Sequence, residues 1–413
     1  MRLVLAALVA SLASSWLSLC VEAFTCPTPI SEAVVNTSAG VDLPNMTYGS
    51  DIVSTGAYVM VLYSTAAGTF SQFSFNYGSS FPTSTRRRLL DGPLASMTMN
   101  LVTDGRDVIA VGLLDNKIQS YEFFFGDFSW ARNVSSLMYN GAASFVSCGG
   151  KLGLIVCAVA SSPAIPEGMQ IYSYDTAQRD RLNLSWQKRT ATGLPTTVAK
   201  PGVASDGVSF MVCSIGTSGT IKLICSKSAN GTTDYANTAT QPVAAVTADA
   251  DVVVASNGEE GMYIVAFILN SAIETRVTFD TGATWASGAV MFPGESTLPT
   301  AIAFASTLLG VSQQGASAFV TFQNNSDPVE WGAPVKLVDG NKVALASGGF
   351  GTNYHYAYSN ATGVYVRSCI PTAAPTVAPS PAPTKVGGDA AVPSAGRWVA
   401  IAITLLVMLT SLY

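Results

Sequence analysis

A chain of 413 residues with a single histidine has few ways to do covalent chemistry. His355 lies in Asn353-Tyr354-His355-Tyr356, and a serine or cysteine nucleophile would have to be built around it. No serine occupies a nucleophile-elbow sequence, so this histidine reads as a strand residue between tyrosines. Gly348-Gly349-Phe350-Gly351 lacks the strand-to-helix setting of a phosphate loop. The acidic turns, Gly258-Glu259-Glu260-Gly261 and the pair Asp249 and Asp251, could hold Ca²⁺ but read as solvated carboxylates. Zinc fits poorly, because there is no Cys-x-x-Cys and only one histidine. No metal and no cofactor is expected. Arg86-Arg87-Arg88 lies among Pro, Ser and Thr and reads as a solvated loop, with a processing site or a polyanion contact as alternatives. A net charge of −5 argues against nucleic acid as a partner.

The elements that would position any site are short strands. Charged residues make up only 11% of the chain and Gly is abundant, which suits many strands joined by polar turns. Thr278-Phe279-Asp280-Thr281-Gly282-Ala283-Thr284-Trp285 has the form Ser/Thr-x-Asp-x-Gly-x-Thr-Trp. In such a turn the carboxylate and hydroxyls bond the turn's own backbone, Gly282 takes a positive φ, and Trp285 packs between sheets. Ser74-Phe75-Asn76-Tyr77-Gly78-Ser79-Ser80-Phe81 is a near copy, with Asn for Asp and Phe for Trp. The pattern resembles the Asp box of the sialidase superfamily, whose members are β-propellers.

The aromatics Phe81, Trp130, Trp186, Tyr235, Trp285 and Trp331 follow one another at 49, 56, 49, 50 and 46 residues, a period that points to a propeller or similar array. A hairpin precedes each: Ala57 to Phe75, Asp107 to Phe124, Leu152 to Tyr174, Val208 to Ser226, Val252 to Thr278 and Leu308 to Phe322. A seventh, Tyr354 to Val366, runs into prolines and has no outer strand of its own. Ser31 to Val35, one period before Phe81, can supply it and close the ring. The expected fold is therefore an all-β propeller of four-stranded blades, seven in number, closed by the N-terminal strand. Six is the alternative, since sialidases have six.

Around this core, spanning 24–370, the ends read as processing signals. Residues 1–23 form a secretory leader, Arg2 followed by an apolar run to Leu19 and then Val21-Glu22-Ala23. Residues 371–388 form a Pro/Thr-rich stalk favouring polyproline II. In 389–413, sixteen mostly apolar residues from Trp398 follow the small residues near Gly388 and Asp389, as in a GPI-attachment signal, with a single membrane span as the alternative. The expected location is the outer face of the plasma membrane. Sequons at Asn36, Asn45, Asn133, Asn183, Asn230, Asn324 and Asn360 agree with secretion, and they fall in turn-like segments.

Beyond the leader, six cysteines suit disulfides in an oxidising compartment, and fifteen pairings are open. Cys213 and Cys225 flank the turn Gly216-Thr217-Ser218-Gly219, Cys148 and Cys157 flank Gly149-Gly150, and Cys26 with Cys369 remains to join the two ends.

The sialidase resemblance implies an arginine triad, a tyrosine nucleophile polarised by a glutamate, and an aspartate acid/base. The early Arg-Ile-Pro sequence of that family is missing, and only Arg106, Arg132, Arg189 and Arg367 remain as loose candidates for the triad. The expectation is a divergent, non-catalytic member that binds a glycan or protein ligand through its top face or central depression. An exo-sialidase or related glycosidase, and a structural coat protein, are the alternatives.

Overall fold

The computed structural model describes residues 31–36 and 51–369, except 56–57, 66–67, 91–98, 115–116, 139–142, 162–167, 177–185, 192–193, 195–198, 217–220, 239–242, 245–250, 287, 295–300, 305–307, 315–316, 325–329, 340–341, 348–353 and 361–362. Cys26, Asn45, Asn183, Gly388 and Asp389 therefore lie outside the described residues, as do the leader, the stalk and the tail. So does Gly348-Gly349-Phe350-Gly351. Among the described residues no helix is long and apolar enough to cross a membrane.

Short apolar runs punctuated by Gly, Asn and Asp turns give antiparallel sheets throughout. The first sheet is β2 (Asp51–Thr55), β3 (Tyr58–Thr65), β4 (Gly68–Ser74) and β5 (Arg87–Leu90); β1 (Ser31–Asn36) belongs elsewhere. The second is β6 (Asn100–Thr103), β7 (Val108–Leu114), β8 (Lys117–Phe124) and β9 (Ser129–Met138). The third is β10 (Ala143–Lys151), β11 (Leu154–Ser161), β12 (Gln170–Asp175) and β13 (Gln187–Arg189).

In the fourth, β14 (Gly202–Ser205), β15 (Phe210–Gly216) and β16 (Lys222–Ser228) are edged by two short pieces, β17 (Ala236–Asn237) and β18 (Val243–Ala244). The fifth is β19 (Val253–Ala255), β20 (Tyr263–Leu269), β21 (Ala272–Thr278) and β22 (Ala289–Phe292). In the sixth, β23 (Ala301–Phe304), β24 (Leu308–Gln314) and β25 (Ser317–Asn324) are edged by β26 (Glu330–Trp331) and β27 (Val335–Asp339). The last sheet runs β28 (Lys342–Ser347), β29 (Tyr354–Asn360) and β30 (Gly363–Cys369), with β1 as its outer strand. Ser31 stands opposite Ser368 and Ala33 opposite Val366.

This order is propeller-like: the first strand of each sheet touches the first strand of the next, and β28 touches both β23 and β2. The core consists of apolar seams between successive sheets. Val59, Val61 and Tyr63 of the first sheet share a seam with Ala357, Val364 and Val366 of the last. The periodic aromatics sit in these seams. Trp130, Trp186 and Trp331 each donate the indole N–H to a hydroxyl on the third strand of the preceding sheet: Ser71 (2.8 Å), Ser120 (3.0 Å) and Thr275 (3.0 Å). The large ring fills the seam, and its polar edge is satisfied there.

Several sequence expectations change. Arg86-Arg87-Arg88 is no solvated loop: Arg87 and Arg88 open β5, and Arg86 immediately precedes it. The Arg86 guanidinium lies 4.0 Å from the Phe70 ring centre, and Arg87 Nε donates to the Phe128 carbonyl of the second sheet at 2.6 Å. Gly149 and Gly150 are not the turn between Cys148 and Cys157 but part of β10, and the turn falls at Leu152-Gly153. A Cβ on Gly150 would clash with the Thr103 carbonyl oxygen, so glycine is needed there for the close approach of two sheets. The hairpin expected from Val252 begins at Tyr263, and Val253–Ala255 is a separate inner strand. The sequons do not all lie in turns: Asn36, Asn133, Asn324 and Asn360 are strand residues, Asn133 on the outer strand β9.

Both inner cysteine pairs form as the spacing suggested. Cys148 faces Cys157 across β10 and β11, and Cys213 faces Cys225 across β15 and β16, each with Cα atoms 4.1 Å apart.

Candidate functional site

Antiparallel alternation puts the first-to-second and third-to-fourth turns at one end of every sheet, and the heads of the inner strands at the other. The Asp-box turns belong to the first end. Thr278 Oγ1 donates to Asp280 at 2.8 Å and accepts from the Gly282 N–H at 2.8 Å, while Asp280 accepts from the Thr284 N–H (2.8 Å) and hydroxyl (2.6 Å). The bonds from Thr284, with a smaller one from Thr278, hold the exposed Asp280 carboxyl down at about 2. Gly282 has φ +83° and Trp285 packs into the seam between the fourth and fifth sheets.

The near copy is the same device. Ser74 donates to Asn76 and accepts from Gly78, whose φ is +75°, and Asn76 accepts from Ser80. Phe81 is buried in the seam between the first and last sheets. A third turn escaped the sequence pattern because it is one residue tighter between Asx and Gly. Ser228 accepts from the Gly231 N–H, Asn230 accepts from Thr232 and Thr233, and Tyr235 is the buried aromatic. Asn230 is thus a sequon exposed in a described turn. All these groups bond their own turn, so the boxes are structural.

Two acidic residues at the same end clasp neighbouring sheets. Asp104 accepts from Arg106 and Asp107 in its own turn, and from the Gly153 N–H (3.1 Å) and Thr176 hydroxyl (2.6 Å) of the third sheet. Asp206 accepts from Val208 and Ser209 locally and from the Gly261 N–H at 2.8 Å. Burial pushes the Asp206 carboxyl up, but those N–H bonds outweigh it and hold the group below the usual range.

The opposite end carries polar links between the heads of neighbouring inner strands. Asp51 at the head of β2 accepts from the Leu101 N–H at 2.6 Å, Asn100 at the head of β6 accepts from the Cys148 N–H at 2.9 Å, and Asp251 accepts from the Lys200 N–H at 2.9 Å. Burial raises the Asp51 carboxyl, against the pull of the Leu101 N–H and of the Lys200 charge. Asp51 opens the first sheet and Lys200 lies just before β14 of the fourth. Asp249 lies outside the described residues, and among the described residues no cluster of His, Cys, Asp or Glu could hold a metal ion. Glu259 and Glu260 are exposed in the turn between β19 and β20.

His355 is fully buried on β29. Nδ1 lies 2.8 Å from the Ser368 hydroxyl, Nε2 has no partner, and burial pushes the imidazole down to about 4. Ser368 is buried as well, so this pair meets no substrate. The candidate arginines do not converge: Arg106 lies in the turn between β6 and β7 and Arg132 on β9 of the same sheet, Arg189 on β13 and Arg367 on β30, so that three sheets share the four.

A groove of about 540 Å³ opens where β12 and β13 border the fourth sheet. Met169, Ile171, Ala191 and Leu194 line its apolar side, and Gln170, Lys188, Arg189 and Thr190 its polar side. Arg189 Nε is held by Ser173 Oγ at 2.6 Å, and the Thr190 carbonyl accepts from the Tyr235 N–H at 3.2 Å, tying the rim to the fourth sheet. No short motif marks this groove, because it depends on strand register and a neighbouring sheet.

No known protein family and no curated protein matches the chain. Among solved structures it is similar to an arginine-to-alanine variant of AofleA from Arthrobotrys oligospora, at 8% identity over 82% of this chain and 86% of that one, with a TM-score of 0.46. A protein of unknown function from Dyadobacter fermentans aligns at 10% identity over 83% and 99%, with a TM-score of 0.43. An Aleuria aurantia lectin variant in complex with alpha-methyl-L-fucoside aligns at 12% over 70% and 94%, with a TM-score of 0.45. Scores of this size transfer no site and no ligand. The molecule is defined by what its own residues build: an all-β, propeller-like succession of sheets with polar links between inner strands and an open cationic groove.

Proposed function

We propose that the protein is an extracellular recognition module, binding a glycan or protein ligand on a seven-bladed propeller closed by β1 and tethered to the outer membrane face through its C-terminal segment. The observation that carries this reading is the make-up of the seven inner strands. From β2, β6, β10, β14, β19, β23 and β28 come mostly small and apolar residues with a few polar ones, and no Arg, Tyr or Glu. A sialidase centre needs arginines converging beside a Tyr/Glu pair. Here the arginines of the described residues sit on second-to-fourth strands and turns, and Asp51, Asp104 and Asp206 hold neighbouring sheets together. A divergent, non-catalytic relative of the sialidase superfamily accounts for Asp-box turns without that centre.

Ring closure has independent support. The last sheet takes its outer strand from the N-terminal side of the chain, and Gly78 of the first sheet packs against His355 and Ser368 of the last. Such closure leaves no inner edge unpaired to its neighbours.

The test is to immobilise the full-length protein and probe it with arrayed glycans and extracellular proteins. Saturable, competable retention of one class is expected. Silence across both arrays by a protein whose melt shows a cooperative fold would move the reading to a structural coat.

A further inference from the structure

Resting on that reading, we propose that the groove at β12 and β13 is a binding site for a linear sulfated saccharide, held across the edge of the third sheet. Lys188 and Arg189 are the charged side chains that line this groove, and among the described residues no carboxylate does. Arg189 is fixed in place through Nε on Ser173, which orients its guanidinium as a preorganised fork. Lys188 is exposed. Gln170 is 3% exposed; its Oε1 accepts from the Tyr172 hydroxyl at 2.6 Å, and its Nε2 has no partner. This amide lies on the Tyr172 side of the sheet and out of reach from the surface, so it takes no part in the site.

Register decides the shape of the ligand. Arg189 stands opposite Ile171 and Lys188 opposite Tyr172, so the two cations belong to opposite faces of the sheet. Ile171 packs in the seam towards the fourth sheet and Tyr172 in the seam towards the second. One small anion cannot be chelated by both. A chain with anionic groups spaced along it can place one on each side of the strand, with the C–H face of a sugar ring over Ile171, Ala191 and Leu194. Sulfate esters suit these donors because each offers three acceptor oxygens and stays ionised at any pH the protein meets. The groove volume lies within the usual range for small-ligand sites.

The experiment measures binding of a defined sulfated oligosaccharide to the full-length protein, beside its desulfated and carboxylated counterparts. Titration should give saturable binding of the sulfated form, at least about tenfold tighter than the desulfated form, weakening as salt rises from about 0.05 to about 0.5 M. Lys188→Ala and Arg189→Ala should each weaken it about tenfold or more, and Arg189→Lys should recover only part of that loss. Arg106→Ala, on a turn at the other end of a different sheet, should bind as the parent does. Because Arg189 also bonds Ser173, Lys188→Glu serves as a variant free of scaffold contacts, and thermal melts confirm the fold of each. Equal binding by parent and Lys188→Glu, or equal affinity for desulfated chains, overturns the site. If some other glycan binds and both variants leave it unchanged, only this inference fails; if nothing binds, the recognition reading fails with it.

Discussion

Acid should loosen the seam between the first and last sheets, and His355 sets the pH at which it does so. The imidazole is fully buried, with Nδ1 on Ser368 and with Gly78 of the first sheet packed against it. Burial holds its pKa at about 4, against 6.5 for the free group. A base whose folded pKa is depressed is neutral in the fold and protonated sooner in the unfolded chain. Its contribution is therefore intact above about pH 6.5, declines as pH falls towards 4, and is fully lost below that. At about 1.4 kcal/mol per pKa unit the full loss is about 3 kcal/mol, of which about 2 kcal/mol has gone by pH 5. Asp280 and Asp206, held below the usual carboxylate range, lose their contribution only at lower pH.

The comparison with His355→Gln isolates the histidine. Chemical denaturation of parent and variant at pH 7.5 and pH 5 should show their stability difference shrinking by about 2 kcal/mol on acidification. A difference that stays constant across that range would refute both the buried neutral histidine and the seam that buries it.

Three further outcomes follow from the same packing. Gly150→Ala should cost at least about 2 kcal/mol in denaturation experiments, because its Cβ would meet the Thr103 backbone carbonyl and no side chain can move aside. Replacing Cys213 and Cys225 together by Ser should cost about 2–4 kcal/mol, read from the denaturation midpoint, with little change in the slope. Asp280→Ala should cost at most about 1 kcal/mol and leave ligand affinity unchanged, since the exposed carboxylate bonds only its own turn.

The periodic features were legible because they are large or local. Trp130, Trp186 and Trp331 mark sheets because each fills a seam, and Cys213 with Cys225 straddles one hairpin. The strand at Ser31 was found by counting one period back from Phe81. Contacts between sheets left no such trace. Asp104 and Asp206 read as ordinary Asp-Gly turns, although each reaches a backbone N–H 49 or 55 residues later. Arg87 read as a loop residue because its carbonyl partner, Phe128, is 41 positions away. The turn at Ser228 was missed because its Gly follows its Asn directly, whereas in the boxes at Ser74 and Thr278 one residue intervenes. The groove at Arg189 needs the register of β12 on β13 and the neighbouring Tyr235, neither of which any single segment encodes.

The central claim, recognition without hydrolysis, is tested most directly by incubating the full-length protein with a panel of sialylated and other glycosides and following free sugar by mass spectrometry alongside binding. Saturable retention of intact ligand is expected, with no product above the rate of the buffer. Turnover that scales with protein concentration, and that is abolished by Arg106→Ala or Arg367→Ala, would contradict it.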